Sequence, residues 1–243
     1  MPAKCQNCPL RSLSLFSPMS ESEVDFMQKF KAGELDAVPG TTLMMEGSSS
    51  PHLYTVLEGM GLRYKTLASG ERQVVNIVLP GDFIGLQAGV MQEMQHSVEA
   101  TTDMTLCVFD RKDLWSLFRD HPERAYDLTW LSAVEEYLLG ESLAVLGHMS
   151  GIERIATTFS RLFARGSALG LVTGTRMPFP YKQQDLADAL GLSLVHTNKT
   201  LRQLRERGVA AWRGGVLEIM DIGALHGIAG IEEEADARRR PLI

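Results

Sequence analysis

Two cysteines near the start of the sequence, Cys5 and Cys8, are separated by two residues, and a third, Cys107, lies far along the chain. A Cys-x-x-Cys pair places two thiolates close enough to bind one metal ion or one corner of an iron–sulfur cluster. The same spacing also serves thiol–disulfide chemistry. An odd number of cysteines argues against a disulfide framework, so metal or redox chemistry is the first hypothesis for this pair.

Length and composition indicate an ordinary globular protein. The 243 residues are enough for one large domain or two smaller ones, and 44% hydrophobic with 22% charged residues is close to globular averages. No stretch approaches the roughly 18 apolar residues of a membrane span, and the start of the chain lacks a secretory signal. We therefore expect a cytoplasmic protein with no membrane partner. The net charge of −6 ordinarily disfavours nucleic-acid binding unless positive charge is concentrated locally.

Residues 38–110 have the pattern of many short strands. β-branched and aromatic runs such as LYTVLE and QVVNIVL alternate with turn signals such as PG and PGD. Such runs at near-regular spacing predict an antiparallel sandwich or roll. A short amphipathic helix, capped by Ser20 or Ser22, is predicted before them at 20–32. We assign residues 1–121 to an N-terminal arm and a sensory β-roll.

A long helix is predicted from Pro122 to about His148, within a segment assigned to 122–149. Proline suits a first helical turn, and two apolar stripes follow at helical spacing. A helix that is apolar on two faces is usually buried on two sides. We expect one face to pack on the roll and the other on a second copy of the chain, with a helix buried within a monomer as the alternative. The predicted dimer seam is Leu131, Val134, Leu138 and Val145, and the second stripe is Tyr126, Trp130 and Tyr137.

Two short helices joined by a tight turn are predicted within residues 183–207. The first, QQDLADAL, ends at Gly191, and the second begins after Ser193, which can cap it. This is the helix-turn-helix pattern, and AAWRGGVLEIMD behind it is typical of the hairpin that forms a wing. The second helix has an inner stripe of Thr197, Leu201 and Leu204 and an outer face of Val195, Asn198, Lys199, Arg202 and Arg205.

Positive charge is concentrated in this part of the chain. Residues 181–213 contain six Lys or Arg and three acids, a local excess of three positive charges within a chain of −6. A DNA major groove admits one helix, with basic residues beside the phosphates. We therefore predict a DNA-binding winged helix-turn-helix at 150–230, followed by a charged tail at 231–243. The alternative is an ordinary helical hairpin with a solvated face.

The order of β-roll, long helix and winged helix-turn-helix resembles the Crp/Fnr superfamily of bacterial transcription regulators over nearly the whole chain. The resemblance is carried by LPGDFIG at 79–85, the helix after HPE at 121–123, and DLADALGLSLVHTNKTLRQL at 185–204. It implies an α+β fold with a cyclic-nucleotide-binding-like jelly roll, a dimerisation helix and a C-terminal winged helix-turn-helix. It also implies a homodimer that reads a two-fold symmetric operator in double-stranded DNA and contacts RNA polymerase.

The resemblance further assigns roles within the second helix. The family's base-reading positions fall on Leu194, Val195, Asn198 and Lys199, and phosphate contacts fall on Ser193, His196 and Arg202. Leu194 and Val195 cannot hydrogen-bond a base edge, although either can meet a thymine methyl group. Lys199 is the candidate for reading guanine.

The roll lacks the features by which similar regulators bind cyclic nucleotides. Those members have an acid and an arginine in a short cassette after the PGDFIG turn. Leu86 stands in place of the acid, and Gln95 and His96 stand in place of the arginine. No arginine occurs between Arg72 and Arg111. A response to cyclic nucleotides is therefore not expected.

Oxygen-sensing members of the family hold a [4Fe–4S] cluster between N-terminal cysteines and one cysteine of the roll. Cys5, Cys8 and Cys107 match three such positions, whereas Ser14 stands near the fourth. These clusters normally take four cysteines, so no cofactor is the leading expectation. Three alternatives stay open: a labile cluster or other metal site, a thiol switch of Cys5 and Cys8, and inert cysteines. A haem held by His52, His96 or His121 is a more remote one.

An enzyme is the rival class of protein. In redox enzymes the Cys-x-x-Cys pair opens a helix after a strand of a thioredoxin-like unit, but here Pro9 follows the pair directly. The sequence also has no Gly-rich phosphate loop, nucleophile elbow or paired His-Glu metal helix. We therefore expect no catalytic residues.

Overall fold

The computed structural model describes residues 4–231 and 239–243, which form two compact units. Unit 1 comprises the chain up to residue 136 together with 239–243, and unit 2 begins at residue 137. Of the predicted charged tail, 232–238 lie outside the described residues, whereas Arg239–Ile243 pack on unit 1. No helix in the described ranges is both long enough and apolar enough to cross a membrane.

Unit 1 is built on two four-stranded antiparallel sheets, as the predicted roll requires. The first sheet has the strand order β1-β8-β3-β6, and the second has the order β2-β7-β4-β5. The strands are β1 (Lys31–Ala37), β2 (Thr42–Met44), β3 (His52–Glu58), β4 (Gly61–Thr66), β5 (Arg72–Val78), β6 (Phe83–Ile84), β7 (Ser97–Ala100) and β8 (Met104–Asp110). The helices are α1 (Glu21–Phe30), α2 (Leu86–Met91), α3 (Leu114–Asp120) and the start of α4 (Pro122–His148).

The inner faces of the two sheets enclose one hydrophobic core, to which alternate residues of each strand contribute. Tyr54, Val56 and Leu106 come from the first sheet, and Val78 and Val98 come from the second. The alternation leaves an outer face of the first sheet that also carries apolar side chains. Part of the outer face is covered by α1, whose buried residues are Val24, Met27 and Phe30.

The LPGDFIG segment forms a tight turn that leads into β6. Gly81 has a φ of +82°, and a Cβ at this position would lie 2.2 Å from the ring of Phe16, so only glycine fits. Asp82 fixes the turn, because its carboxylate accepts a hydrogen bond of 2.9 Å from the Leu79 amide. This turn therefore places Asp82 in a buried position of unit 1.

The helix before the roll is capped by Ser20, one of the two predicted caps, in a capping box with Glu23. The Glu23 amide donates to the Ser20 hydroxyl at 3.3 Å, and the Ser20 amide donates to the Glu23 carboxylate at 2.7 Å. The N-terminal arm docks on this helix, since the Cys5 amide donates to the Gln28 side chain at 2.8 Å. The arm is held further by the Arg11 guanidinium, which donates to the Cys5 carbonyl at 3.1 Å.

The long helix α4 runs from Pro122 to His148, as predicted. In the predicted dimer seam, Leu131 and Val145 are buried within the single chain, at 6% and 5% exposure, and the seam itself stays a prediction. Val134 and Leu138 are half-buried. Side chains already buried within one chain have little surface left for a partner. The stripe that faces solvent is the second one, in which Tyr126 is 70% exposed and Tyr137 is 61% exposed.

Unit 2 contains the predicted winged helix-turn-helix. The predicted second helix from Leu194 to about Arg207 is observed as Leu194–Glu206, and the hairpin with the Gly-Gly turn is also present. The order of elements is α5 (Gly151–Ala168), β9 (Arg176–Pro178), α6 (Gln183–Leu190), α7 (Leu194–Glu206), β10 (Ala210–Arg213), β11 (Val216–Ile219) and α8 (Ile222–Ala229). The three strands form one sheet in the order β10-β11-β9.

Candidate nucleic-acid interface and cysteine cluster

The turn between α6 and α7 depends on two local signals of the sequence. Gly191 ends α6 in the left-handed conformation, with a φ of +60° that favours glycine. Ser193 then caps α7, since its hydroxyl accepts a hydrogen bond of 3.2 Å from the His196 amide. The Arg154 guanidinium of α5 donates to the Leu190 carbonyl at 2.8 Å, which places a cation at the end of α6. These contacts fix the angle at which α7 leaves the turn.

One face of α7 anchors it in unit 2 and leaves the opposite face in solvent. Thr197, Thr200 and Leu204 are buried, and Leu201 is half-buried. The buried face therefore matches the predicted inner stripe, with Thr200 in addition. All seven predicted DNA-contacting residues are exposed, and they are Ser193, Leu194, Val195, His196, Asn198, Lys199 and Arg202. Their contact with DNA stays a prediction.

Besides Ser193, which caps α7, two more of these seven side chains have partners within the chain. Arg202 forms an ion pair of 2.7 Å with Glu206, one turn further along α7. This ion pair lowers the pKa of the Glu206 carboxyl. His196 lies against the first turn of α5, where a Cβ added to Gly151 would lie 2.4 Å from its ring nitrogen Nε2. Asn198 and Lys199 are exposed on the same helix.

An aromatic cluster joins the wing to the body of unit 2. The ring of Phe179 lies 4.8 Å from Trp212, 4.8 Å from Tyr181 and 5.8 Å from Phe159, in edge-to-face arrangements. The Trp212 indole N–H donates to the Phe179 carbonyl at 3.1 Å. Gly214 and Gly215 both have positive φ and close the hairpin turn, so Arg213 stands exposed at its tip.

The charged residues of the roll are arranged differently from those of a site that binds a cyclic phosphate. Arg63, which is buried, forms an ion pair of 2.9 Å with Glu135 of α4 and donates to the Phe83 carbonyl at 3.0 Å. Gln95 is exposed and Leu86 is half-buried. Burial, reinforced by the cations Arg63 and Lys65, lowers the pKa of His96 to about 4. The position expected for an arginine is therefore filled by a neutral imidazole.

The three cysteines lie close together in unit 1, around Lys31. Cys5 is half-buried in the first 3₁₀ turn of the arm, Cys8 is half-buried between the two 3₁₀ turns, and Cys107 is buried on β8. The Lys31 ammonium donates a hydrogen bond to the Cys107 thiol, and its side chain is only 3% exposed. Burial raises the pKa of Cys5 and raises that of Cys107 to about 11, although Lys31 opposes both shifts. The fold therefore keeps these two thiols protonated and slow to react.

This arrangement does not fit an iron–sulfur cluster or another metal ion. Within the described ranges no three His, Cys, Asp or Glu side chains are grouped as a metal site. Ser14, which stands near the position of the missing ligand, is exposed, and the Lys31 cation occupies the side of Cys107. His52 lies 3.6 Å from Asp110, and His121 stacks on Phe26, so the histidines do not converge either.

Sequence reasoning missed several of these contacts. Lys31 carried no signal, because only the register that pairs Glu34 with Cys107 brings this lysine beside the thiol. The Arg63–Glu135 ion pair joins positions 72 residues apart, so no local sequence pattern predicts it either. Helix α8 had a usable signal, since Asp221 before an apolar run is typical of an N-cap, and its carboxylate accepts from the Ala224 amide at 2.9 Å.

Known protein families and structures are similar to both units. A model described as a cyclic nucleotide-binding domain matches residues 34–121, and a model described as a Crp-like helix-turn-helix domain matches residues 153–228. The nitrogen fixation regulation protein FixK of Rhizobium meliloti is 31% identical over 193 residues, which is 78% of this chain and 84% of that protein.

Two further proteins are similar over most of their length. The transcriptional activator protein FnrL of Cereibacter sphaeroides is 27% identical and covers 87% of this chain, with 85% of that protein matched. The solved structure of FixK2 from Bradyrhizobium japonicum has a TM-score of 0.73 and 26% identity. It covers 80% of this chain and 96% of its own.

Proposed function

Because this chain belongs to the Crp/Fnr family of DNA-binding transcription regulators, we propose that it reads a two-fold symmetric operator as a homodimer. The observation that carries the proposal is the exposed face of α7, which combines basic, amide and apolar side chains on a rigidly capped helix. A helix of this kind fits a major groove, with its N-terminal residues at the base edges. A cytoplasmic location and contact with RNA polymerase belong to the same proposal.

Within α7 we assign the polar base contacts to Asn198 and Lys199. An amide side chain suits adenine and a lysine suits guanine, whereas Leu194 and Val195 can contact only thymine methyl groups. Arg202 is already paired with Glu206, so it reaches a phosphate only by exchanging that partner. Lys199 therefore carries the largest share of the sequence selectivity among these residues.

Replacing Lys199 with alanine is expected to weaken operator binding by about 1–3 kcal/mol and to relax selectivity at one base pair. The physical reason is that a base contact contributes only on the matching sequence. Fluorescence anisotropy with the operator and with single-substitution duplexes, at fixed salt, measures both quantities. The matched control is Lys112→Ala, which removes one exposed cation from unit 1. An equal loss of affinity on all duplexes would assign Lys199 to phosphate instead.

For the dimer contact we propose the solvent-facing stripe of α4. Its members recur at alternating steps of four and three residues, which is the spacing of a coiled-coil seam. The last three members of the stripe are small residues, so two helices can approach closely there. The stripe consists of Tyr126, Trp130, Ala133, Tyr137, Gly140, Ala144 and Gly147. This proposal is an alternative to the seam predicted from the sequence, which consists of Leu131, Val134, Leu138 and Val145.

Replacing Tyr137 with glutamate is expected to raise the dimer dissociation constant about 30-fold or more, since central aromatic anchors contribute about 2 kcal/mol or more. The substitution also places a charge in a desolvated seam. Sedimentation velocity across a concentration series measures the shift from dimer to monomer. Ser132→Glu introduces the same charge on another exposed face of α4 and is expected to leave the dimer intact. Equal behaviour of the two variants would reject this seam.

We do not assign a cyclic-nucleotide effector to the roll. The cassette lacks an arginine, the nearby Arg63 is already paired with Glu135, and His96 is neutral at ordinary pH. A cyclic phosphate needs a buried cation or several N–H donors, and this environment offers a poor match.

A further inference from the structure

One row of side chains crosses the outer face of the first sheet. Cys107 of β8 pairs in register with Glu34 of β1 on one side and with Thr55 of β3 on the other. Thr55 pairs in turn with Phe83 of β6. Residues paired in this way point to the same face, with Cβ atoms about 5 Å apart. The Cys107 thiol therefore has Lys31 and the arm on one flank and the Thr55 hydroxyl on the other.

The Thr55 flank is covered by Arg239–Ile243, which we name the latch segment. Leu242 and Ile243 are buried in unit 1, at 4% and 5% exposure. The Thr55 hydroxyl donates to the Ile243 carbonyl oxygen, and the Arg124 guanidinium donates to that of Leu242 at 3.5 Å. A residue 188 positions away thus lies directly beside the Cys107 row.

The other end of the latch segment is held by the arm and by the LPGDFIG turn. Arg240 forms a parallel bridge with Phe16, in which its amide donates to Leu15 at 2.8 Å and its carbonyl accepts from Ser17 at 2.9 Å. Its guanidinium lies 3.2 Å from the Asp82 carboxylate, and both side chains are largely shielded from water. The latch segment therefore contacts the arm, the turn and the sheet at once.

From these contacts we propose that the latch segment is a releasable cover of the thiol-bearing face, so that Cys107 becomes accessible only when the segment leaves. The contacts are of a kind that can open locally. They include two apolar anchors, two backbone bonds, two side-chain bonds to the carbonyl oxygens of Leu242 and Ile243, and one ion pair, whereas the sheet beneath is held by full strand ladders. Modification of Cys107 and docking of the segment then exclude each other.

The test is the alkylation rate of Cys107 by N-ethylmaleimide in the reduced full-length protein, followed by peptide mass spectrometry. The sulfur bonds to one alkene carbon and the thiol proton moves to the other, so no further reactant is needed. The Leu242→Ser/Ile243→Ser variant is expected to react at Cys107 at least about tenfold faster, because both apolar anchors of the cover are lost. Arg239→Ser, an exposed position of the same segment, is the control. Equal rates in the two variants would overturn the proposal.

A second measurement distinguishes release of the latch segment from unfolding of the variant. Binding events that exclude each other do so reciprocally, so alkylation of Cys107 in the unsubstituted protein must release the segment. Hydrogen–deuterium exchange of a peptide covering 239–243 is expected to be slow before alkylation and at least about tenfold faster after it, while the α5 amides keep their protection. Unchanged protection of this peptide would also reject the latch.

Discussion

Replacing Phe179 with alanine is expected to lower the free energy of unfolding of unit 2 by about 3–5 kcal/mol. Phe179 is 1% exposed and contacts three aromatic rings, which come from α5, the segment before α6 and the first strand of the wing. Removing its ring leaves a cavity that these neighbours fill only partly, because their backbones belong to three different elements. The loss is a large part of the stability of an ordinary domain.

Urea denaturation followed by Trp212 fluorescence measures this effect, because the indole lies 4.8 Å from the substituted ring. Met220→Ala, at a position that is 43% exposed in the same unit, is expected to change stability by less than about 1 kcal/mol. The transition of unit 1, monitored separately by exchange of its strand amides, should stay in place. A loss below about 1 kcal/mol for Phe179→Ala would show that the cluster is loosely packed.

Acidification is expected to destabilise unit 1 through His96. Burial is the main cause of its low pKa of about 4, and the cations Arg63 and Lys65 add to it while the Glu46 carboxylate opposes them. Well above pH 6.5 the imidazole is neutral in both the folded and the unfolded chain. As the pH falls through 6.5 towards 4, His96 of the unfolded chain binds a proton, whereas His96 of the folded chain stays neutral. The free energy of unfolding therefore decreases. The full loss approaches about 3 kcal/mol.

The measurement is urea denaturation of unit 1 at a series of pH values between 7 and 4. His96→Gln removes the titrating group, so its stability should depend less steeply on pH across this range. The control is His52→Gln, whose side chain is 42% exposed and which is expected to keep the steep dependence of the unsubstituted protein. If His96→Gln and the unsubstituted protein lose stability in parallel, His96 is not the group responsible.

Helix α7 could be predicted closely because its signals are local. Gly191, Ser193 and the spacing of Thr197 and Leu204 lie within fourteen residues, and they define the turn, the cap and the buried face. Helix α1 could be predicted for the same reason, because Ser20 and Glu23, which form its cap, lie three residues apart. In such cases backbone hydrogen-bonding needs and helical period alone select the structure.

The orientation of α4 could not be predicted, because both of its stripes satisfy the same helical period. Which stripe turns inward depends on the rest of the fold, and the structure buries Leu131 and Val145 and exposes Tyr126 and Tyr137. The surroundings of the cysteines were hidden for a related reason. Strand register decides that Cys107 lies between Glu34 and Thr55, and register depends on residues far apart in sequence.

The contact between Thr55 and Ile243 also bears on the order in which the protein folds during synthesis. Chains fold largely from the N-terminal end as they leave the ribosome, so the strands of the roll emerge first. The outer face of the first sheet, however, is completed only by residues that follow the whole winged helix-turn-helix. Until then the Leu242 and Ile243 sites on that face are open. A nascent chain therefore exposes an apolar surface that the finished protein hides.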